Sequence, residues 1–162
     1  MHTISVLTKN IILEPKHLTP NIKEYIFSEL KKKYEKVCCD ESGLIISIDR
    51  IITIDNIINK DSINITFMVQ FEAHTIKPEK NMKISFIPTL ILSKGIFGKL
   101  YENINFFIPE TTLLDTGYKF DNDTSSFTHE QKDTITCKTE VNVTIDQLKY
   151  DTLKYNCIVL LD

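Results

Sequence analysis

The stretch INITFMVQFEAHTIKP, residues 63–78, decides how this chain is read. Ile63, Ile65, Phe67, Val69, Phe71 and Ala73 recur with period two, which places all six on one face of a long strand. Asn64, Thr66, Gln70 and Glu72, with the apolar Met68, form the other face. Pro78 ends the run inside a short polar break, Ile76 to Lys80, and every strong signal beyond it is β. The domain boundary therefore falls at 77/78, with one half containing a helix and the other consisting of strands.

Upstream of that strand, Ile4 and Val6 alternate into Ile11-Ile12-Leu13, a first strand broken by Glu14-Pro15. Thr19 is placed to cap a helix, Pro20 suits its first position, and Ile22, Ile26, Leu30 and Tyr34 share one face. Lys31, Lys32, Lys33 and Lys36 fall at the C-terminal end, where cations complement the helix dipole, and read as a solvated helix end. After the turn at Asp40 to Gly43, the β-branched run from Leu44 to Ile54 predicts a buried strand. The first half is thus one helix packed on a small antiparallel sheet.

Downstream, Met82, Ile84, Phe86, Leu90 and Leu92 alternate, Ser93 to Gly95 turns, and 96–101 and 104–108 form a pair across Glu102-Asn103. A polar and mostly irregular stretch runs from Pro109 to Lys132. Two strands follow, one through Ile135, Cys137, Val141, Val143 and Ile145, the other through Leu153, Tyr155, Cys157, Val159 and Leu161. Five strands with a long excursion between the third and fourth outline an OB-fold β-barrel. The class is α+β.

The 162 residues carry 19 basic and 22 acidic side chains, a net charge of −3. Residues 1–77 hold 10 of each sign, whereas residues 78–162 hold 9 basic and 12 acidic. A self-sufficient nucleic-acid binder usually shows a basic excess, so contact with nucleic acid here is expected to be weak or assisted. Arg50 is the single arginine against 18 lysines, and Ala73 the single alanine, a usage that fits an AT-rich genome. Cys38, Cys39, Cys137 and Cys157 contain no CxxC pair, which reads as reduced thiols in an intracellular protein. No stretch approaches the ~20 apolar residues that span a membrane.

His2, His17, His74 and His129 are dispersed, and no phosphate-binding glycine loop or nucleophile elbow is present, so no catalytic residue, metal site or cofactor is expected. Gly95-Ile96-Phe97-Gly98 matches the GxxG clamp of KH domains, but it opens a strand, where a turn glycine explains it more simply. If Ile96, Gly98 and Leu100 face inward, Phe97, Lys99 and Tyr101 face out together, flanked by Lys94, with Phe106 or Phe107 able to extend the set. Aromatic rings interleaved with lysine on such strands suit stacking and charge contact with single strands. The alternative is that the first domain or a partner subunit covers these rings.

The order of parts resembles one family, the stalk subunit of multisubunit DNA-dependent RNA polymerases: the seventh subunit of RNA polymerase II and its archaeal and large-DNA-virus relatives. The resemblance is carried by Ile11-Ile12-Leu13-Glu14-Pro15 leading into Thr19-Pro20, by Gly43-Leu44-Ile45-Ile46, and by Val69 to Ala73 running into Ile76-Lys77-Pro78. Gly95 to Gly98 and the strand 104–108 followed by Pro109 complete it. The resemblance implies a tip domain, 1–77, that docks on the large polymerase subunits, and an OB-fold domain, 78–162, near nascent single-stranded RNA. It implies core docking through Pro15, Lys16, His17, Leu18 and Thr19 and through Asn56, Ile57, Ile58 and Asn59, and weak RNA contact through Lys94, Phe97, Lys99 and Tyr101. It also implies a small helical stalk partner, no catalytic role of its own, and a location that follows the polymerase: nucleus for a cellular enzyme, cytoplasm or virion for that of a large DNA virus. Where the family has a Gly-Glu pair opening the barrel, this chain has Asn81-Met82. The competing reading is a free-standing OB-fold protein that binds single-stranded RNA in translation or RNA metabolism.

Overall fold

Strand β1 (Thr3–Leu13) leads into a 3-10 turn (Pro15–His17), helix α1 (Ile22–Tyr34) and the strands β2 (Cys38–Cys39), β3 (Gly43–Ile57) and β4 (Ile65–Ile76). The structure, a computed structural model, describes residues 2–57 and 62–162. It divides into two units, Met1–Lys77 and Pro78–Asp162. The chain is α+β, one helix on a sheet being followed by a strand-rich barrel unit.

In the first unit the sheet has the order β1-β4-β3-β2, each pair antiparallel. One face is covered by α1, whose Ile26 and Leu30 are buried against Ile11, Leu13, Ile45, Phe67, Val69 and Phe71. Each such side chain removed from water contributes about 1.5–3 kcal/mol. The four-residue spacing of Ile22, Ile26, Leu30 and Tyr34 thus marks the face that meets the sheet. The helix begins later than Thr19 suggests, because the Thr19 carbonyl accepts a bond from the Ile22 N–H and closes a turn over Pro20-Asn21. Asn21 takes the cap position without a side-chain bond. Period two in the central strand holds only from Ile65; Ile63 precedes the ladder and is 84% exposed. Register irregularities at 45/47, 48/50 and 51/53 bend β3 along its partner.

The second unit contains β5 (Lys83–Phe86), β6 (Pro88–Leu92), β7 (Gly95–Leu100), β8 (Ile104–Pro109), α2 (Glu110–Asp115), β9 (Lys119–Asp121), β10 (Ser126–Thr128), β11 (Val141–Asp151) and β12 (Lys154–Leu161). Its main sheet runs β5-β11-β12-β8-β7-β6, with β12 and β8 parallel. The expected single strand through Met82 to Leu92 is interrupted at Ile87, so that β5 pairs with β11 and β6 with β7. One stretch of chain therefore forms both edges of the sheet, curling it into the OB-type barrel. Phe86, Ile96, Phe106, Ile108, Val143, Ile145, Tyr155 and Val159 fill the interior.

Three expectations for this unit are corrected. The stretch after Pro109 is not irregular: α2 buries Leu113, and β9 and β10 form a hairpin carrying Phe120 and Phe127. Those elements of 3 to 6 residues are too short for a hydrophobic period to register. Ile135 makes only an isolated bridge with Phe127, and β11 starts at Val141. Leu153 lies in the turn before β12, where Thr152 and Leu153 both take positive φ, 47° and 64°, as the tight turns of hairpins require.

Candidate functional site

The strands that lead into the two candidate docking loops reach the same end of the first unit's sheet. Thr66 on β4 is opposite Ile12 of β1 on one side and Ile57 of β3 on the other, so β1 and β3 reach this end of the sheet on either side of β4. Within the first loop the Glu14 carbonyl accepts from the His17 N–H at 3.0 Å and the Pro15 carbonyl from the Leu18 N–H at 3.1 Å, a 3-10 turn preset by the proline. The Lys16 ammonium lies 2.9 Å from the Glu14 carboxylate and holds that carboxyl below its ordinary range. His17 does not project outward: its ring stacks on Tyr25 of α1 with centroids 4.7 Å apart and planes 17° from parallel. Leu18, 42% exposed, is the apolar tip, and Thr19 is exposed beside it. At the second loop Asn56 and Ile57 are exposed at the end of β3, while Ile58 and Asn59 lie outside the described residues. Ile12, Leu18, Ile57 and Ile63 leave large apolar side chains in water at this end. Exposed apolar groups gathered in one place mark an interaction surface more than scattered ones do.

The barrel face follows strand alternation. Ile96, Ile104, Phe106 and Ile108 are buried, while Phe97, Lys99, Asn105 and Phe107 face the other way. Phe107, not Phe106, extends the aromatic set: it stacks on Phe97 with centroids 4.7 Å apart and planes 28° from parallel. Cross-strand register builds two rows across the sheet. Leu90, Phe97, Phe107 and Ile158 make an apolar row. Lys99, Asn105, Asn156 and Lys149 make a polar one, in which the Asn105 amide donates to Asn156 Oδ1 at 2.9 Å. Between the rows a groove of about 260 Å³ is lined by Thr89, Phe97, Lys99, Asn105, Phe107 and Asn156 among others. Stacking rings beside lysines and amides are able to hold an unpaired base and its phosphate.

Two of the four barrel candidates stand on this face and two do not. Tyr101 lies past the end of β7 at φ 52°, where strand alternation no longer sets its direction. Lys94 is exposed in the β6–β7 turn, its carbonyl accepting from the Glu110 N–H at 2.9 Å. Asn105, Asn156 and Lys149 escape a reading of the sequence. Period two marks Asn105 and Asn156 as outward, but only the parallel β8–β12 pairing makes them neighbours.

The GxxG glycines have structural work. A Cβ on Gly98 would lie 2.1 Å from the Phe86 ring, and one on Gly95 would lie 2.2 Å from the Ile108 carbonyl oxygen. The two glycines let a strand and an aromatic ring approach, so no KH-type clamp is needed to explain them. Burial pushes the Cys38 thiol to about 11 and the Cys157 thiol to about 12, which keeps both protonated and unreactive at neutral pH. Among the described residues no group of three or more His, Cys, Asp or Glu side chains is placed to hold a metal ion.

Comparison with known proteins bears on the first unit. Residues 8–65 match the family model described as "SHS2 domain found in N terminus of Rpb7p/Rpc25p/MJ0397". This stretch is thus similar to Rpb7-type SHS2 domains. The chain is also 30% identical over 95 residues to "DNA-directed RNA polymerase II subunit 7" of Arabidopsis thaliana, covering 58% of this chain and 54% of that protein. It is 24% identical over 95 residues to "DNA-directed RNA polymerase II subunit RPB7" of Glycine max, with the same coverage. The chain thus spans about half the length of the curated relatives it matches. The resemblance to polymerase stalk subunits is supported on this stretch, within whose residue range both candidate loops and all of β3 fall.

Proposed function

We propose that this chain is a non-catalytic stalk subunit of a DNA-dependent RNA polymerase. The first unit docks on the large core subunits through the loops 15–19 and 56–59, and the barrel holds nascent single-stranded RNA across Phe97 and Lys99, aided by Lys94 and Tyr101. A small helical subunit is its stalk partner, and it works where its polymerase works, in the nucleus for a cellular enzyme and in the cytoplasm or virion for that of a large DNA virus. One observation carries the reading: within the stretch similar to Rpb7-type SHS2 domains, β1 and β3 reach the same end of the sheet on either side of β4, and Ile12, Ile57 and the loop residue Leu18 are exposed there. A second unit with 9 basic and 12 acidic residues fits a barrel held beside RNA by a larger assembly better than one that captures RNA alone.

Affinity purification of the tagged chain from its native source, followed by mass identification of partners, tests the docking. The wild type is expected to bring down the large polymerase subunits, and Leu18→Asp with Ile57→Asp to lose them while keeping its circular dichroism spectrum. Phe97→Ala with Lys99→Ala is expected to retain the polymerase and weaken crosslinking to nascent RNA. Recovery of the wild type as a free monomer that binds RNA would replace this reading with the free-standing RNA-binding module.

A further inference from the structure

We propose that the C-terminal end of α1, together with β1, is a second nucleic-acid surface, which grips the phosphodiester backbone of single-stranded RNA without reading its bases. Three ammonium groups there lie over aromatic faces. Lys31 Nζ lies 4.6 Å from the centroid of Phe27, while Lys33 and Lys9 lie 5.3 and 5.7 Å from that of Tyr34. The Tyr34 hydroxyl donates to the Asn10 carbonyl at 3.2 Å, tying the helix end to β1. Lys9 is what the sequence could not place: it is separated from the helical run by more than twenty residues and joins it only through the fold.

Several carboxylates of this unit are engaged elsewhere. Glu29 pairs with Lys32, Glu14 with Lys16 and Glu72 with Arg50, and the Glu35 carboxylate accepts from the Ile48 N–H. Among the described residues no carboxylate lies within ion-pair distance of Lys9, Lys31 or Lys33. A unit that is neutral overall therefore presents a local cationic patch.

The chemistry of the patch selects its occupant. Lysine is depleted at protein–protein interfaces, whereas an ammonium is a point charge suited to a phosphate. The ring faces are already occupied by cations, which leaves the charges, not base stacking, to make the contact. The three charges sit on two elements, Lys9 on β1 and Lys31 and Lys33 on α1, and a flexible single strand can bring successive phosphates to them.

Fluorescence anisotropy of the full chain with a labelled 20-nucleotide uridine oligomer, from 50 to 300 mM salt, tests this. Each phosphate neutralised on a single strand contributes about −0.7 to the slope of log K against log salt, so Lys9→Gln with Lys31→Gln and Lys33→Gln should flatten that slope by about 2. Phe27→Leu with Tyr34→Leu, which frees the cations without removing them, should weaken binding with the slope kept. An unchanged slope in the triple variant overturns the proposal, as does displacement of the RNA by polyglutamate at equal charge concentration, which would assign the patch to an acidic protein. Phe97→Ala with Lys99→Ala, measured alongside, separates the two surfaces. Loss there with none in the triple variant leaves the barrel reading standing and this one refuted, and the reverse pattern refutes RNA contact at the barrel face alone.

Discussion

Gly98 leaves no room for a side chain against Phe86, and replacing it with alanine tests the closure directly. An added Cβ would meet two ring carbons of Phe86 at 2.1 and 2.2 Å, far inside contact distance. Phe86 cannot easily yield, because it is 4% exposed and stacked on Phe106 with centroids 5.1 Å apart. The strain belongs to packing alone, since Gly98 is not among the glycines with positive φ. Overpacking of this kind costs roughly 1–3 kcal/mol, and for a domain of 60–100 residues each kcal/mol lowers the midpoint by about 4–8 °C. Thermal unfolding of the full chain, followed at barrel amides by NMR, should show a drop of at least 4 °C or so in that unit. Phe86→Leu removes the ring edge that clashes, so the double variant should be less damaged than the two single costs summed, with a coupling of about 1 kcal/mol or more. A Gly98→Ala protein within about 0.5 kcal/mol of the wild type, or single effects that simply add, would refute the account of how β5 packs on β7 through Phe86 and Gly98.

Two further predictions follow from backbone and burial. Asn81 occupies φ 68°, its N–H donating to the Ile145 carbonyl at 2.7 Å. Because Asn tolerates the left-handed region better than other side chains, Asn81→Gly should change stability by only a few tenths of a kcal/mol, and Asn81→Ala should cost about 1 kcal/mol, measured by urea unfolding. The Cys157 thiol, raised to about 12 by burial and 2% exposed, should resist iodoacetamide at pH 8 in the native protein and react in urea, whereas exposed Cys137 should be labelled at once.

What the sequence reveals follows from how local each signal is. The helix face, the alternation from Ile65 to Ala73 and that of Tyr155, Cys157 and Val159 are read within one element, and the structure agrees with them. The interruption at Ile87 overturns the expected run through Met82, Ile84, Phe86, Leu90 and Leu92: the change of partner shifts the phase, so that Ile91 is buried while Leu90 and Leu92 are exposed. The hairpin at Thr152-Leu153 is hidden for another reason: neither residue is the glycine or asparagine that normally takes positive φ. At the candidate surfaces, Phe97 and Lys99 are legible from alternation alone. The Asn105–Asn156 pair and the meeting of Lys9 with Tyr34 depend on distant parts of the chain, which a single element cannot report.

The double use of residues 83–92 has a consequence for how the protein is made. All four strands of the first unit's sheet are complete once Ile76 has been synthesised, so that unit can fold while the ribosome is still at work. The barrel cannot do likewise. Its β5 edge stays without a neighbour until β11 emerges more than fifty residues later, and β8 waits for β12. For that interval the nascent chain carries an open sheet edge, which exposes the second unit to mispairing and makes it the part of the molecule most dependent on chaperones.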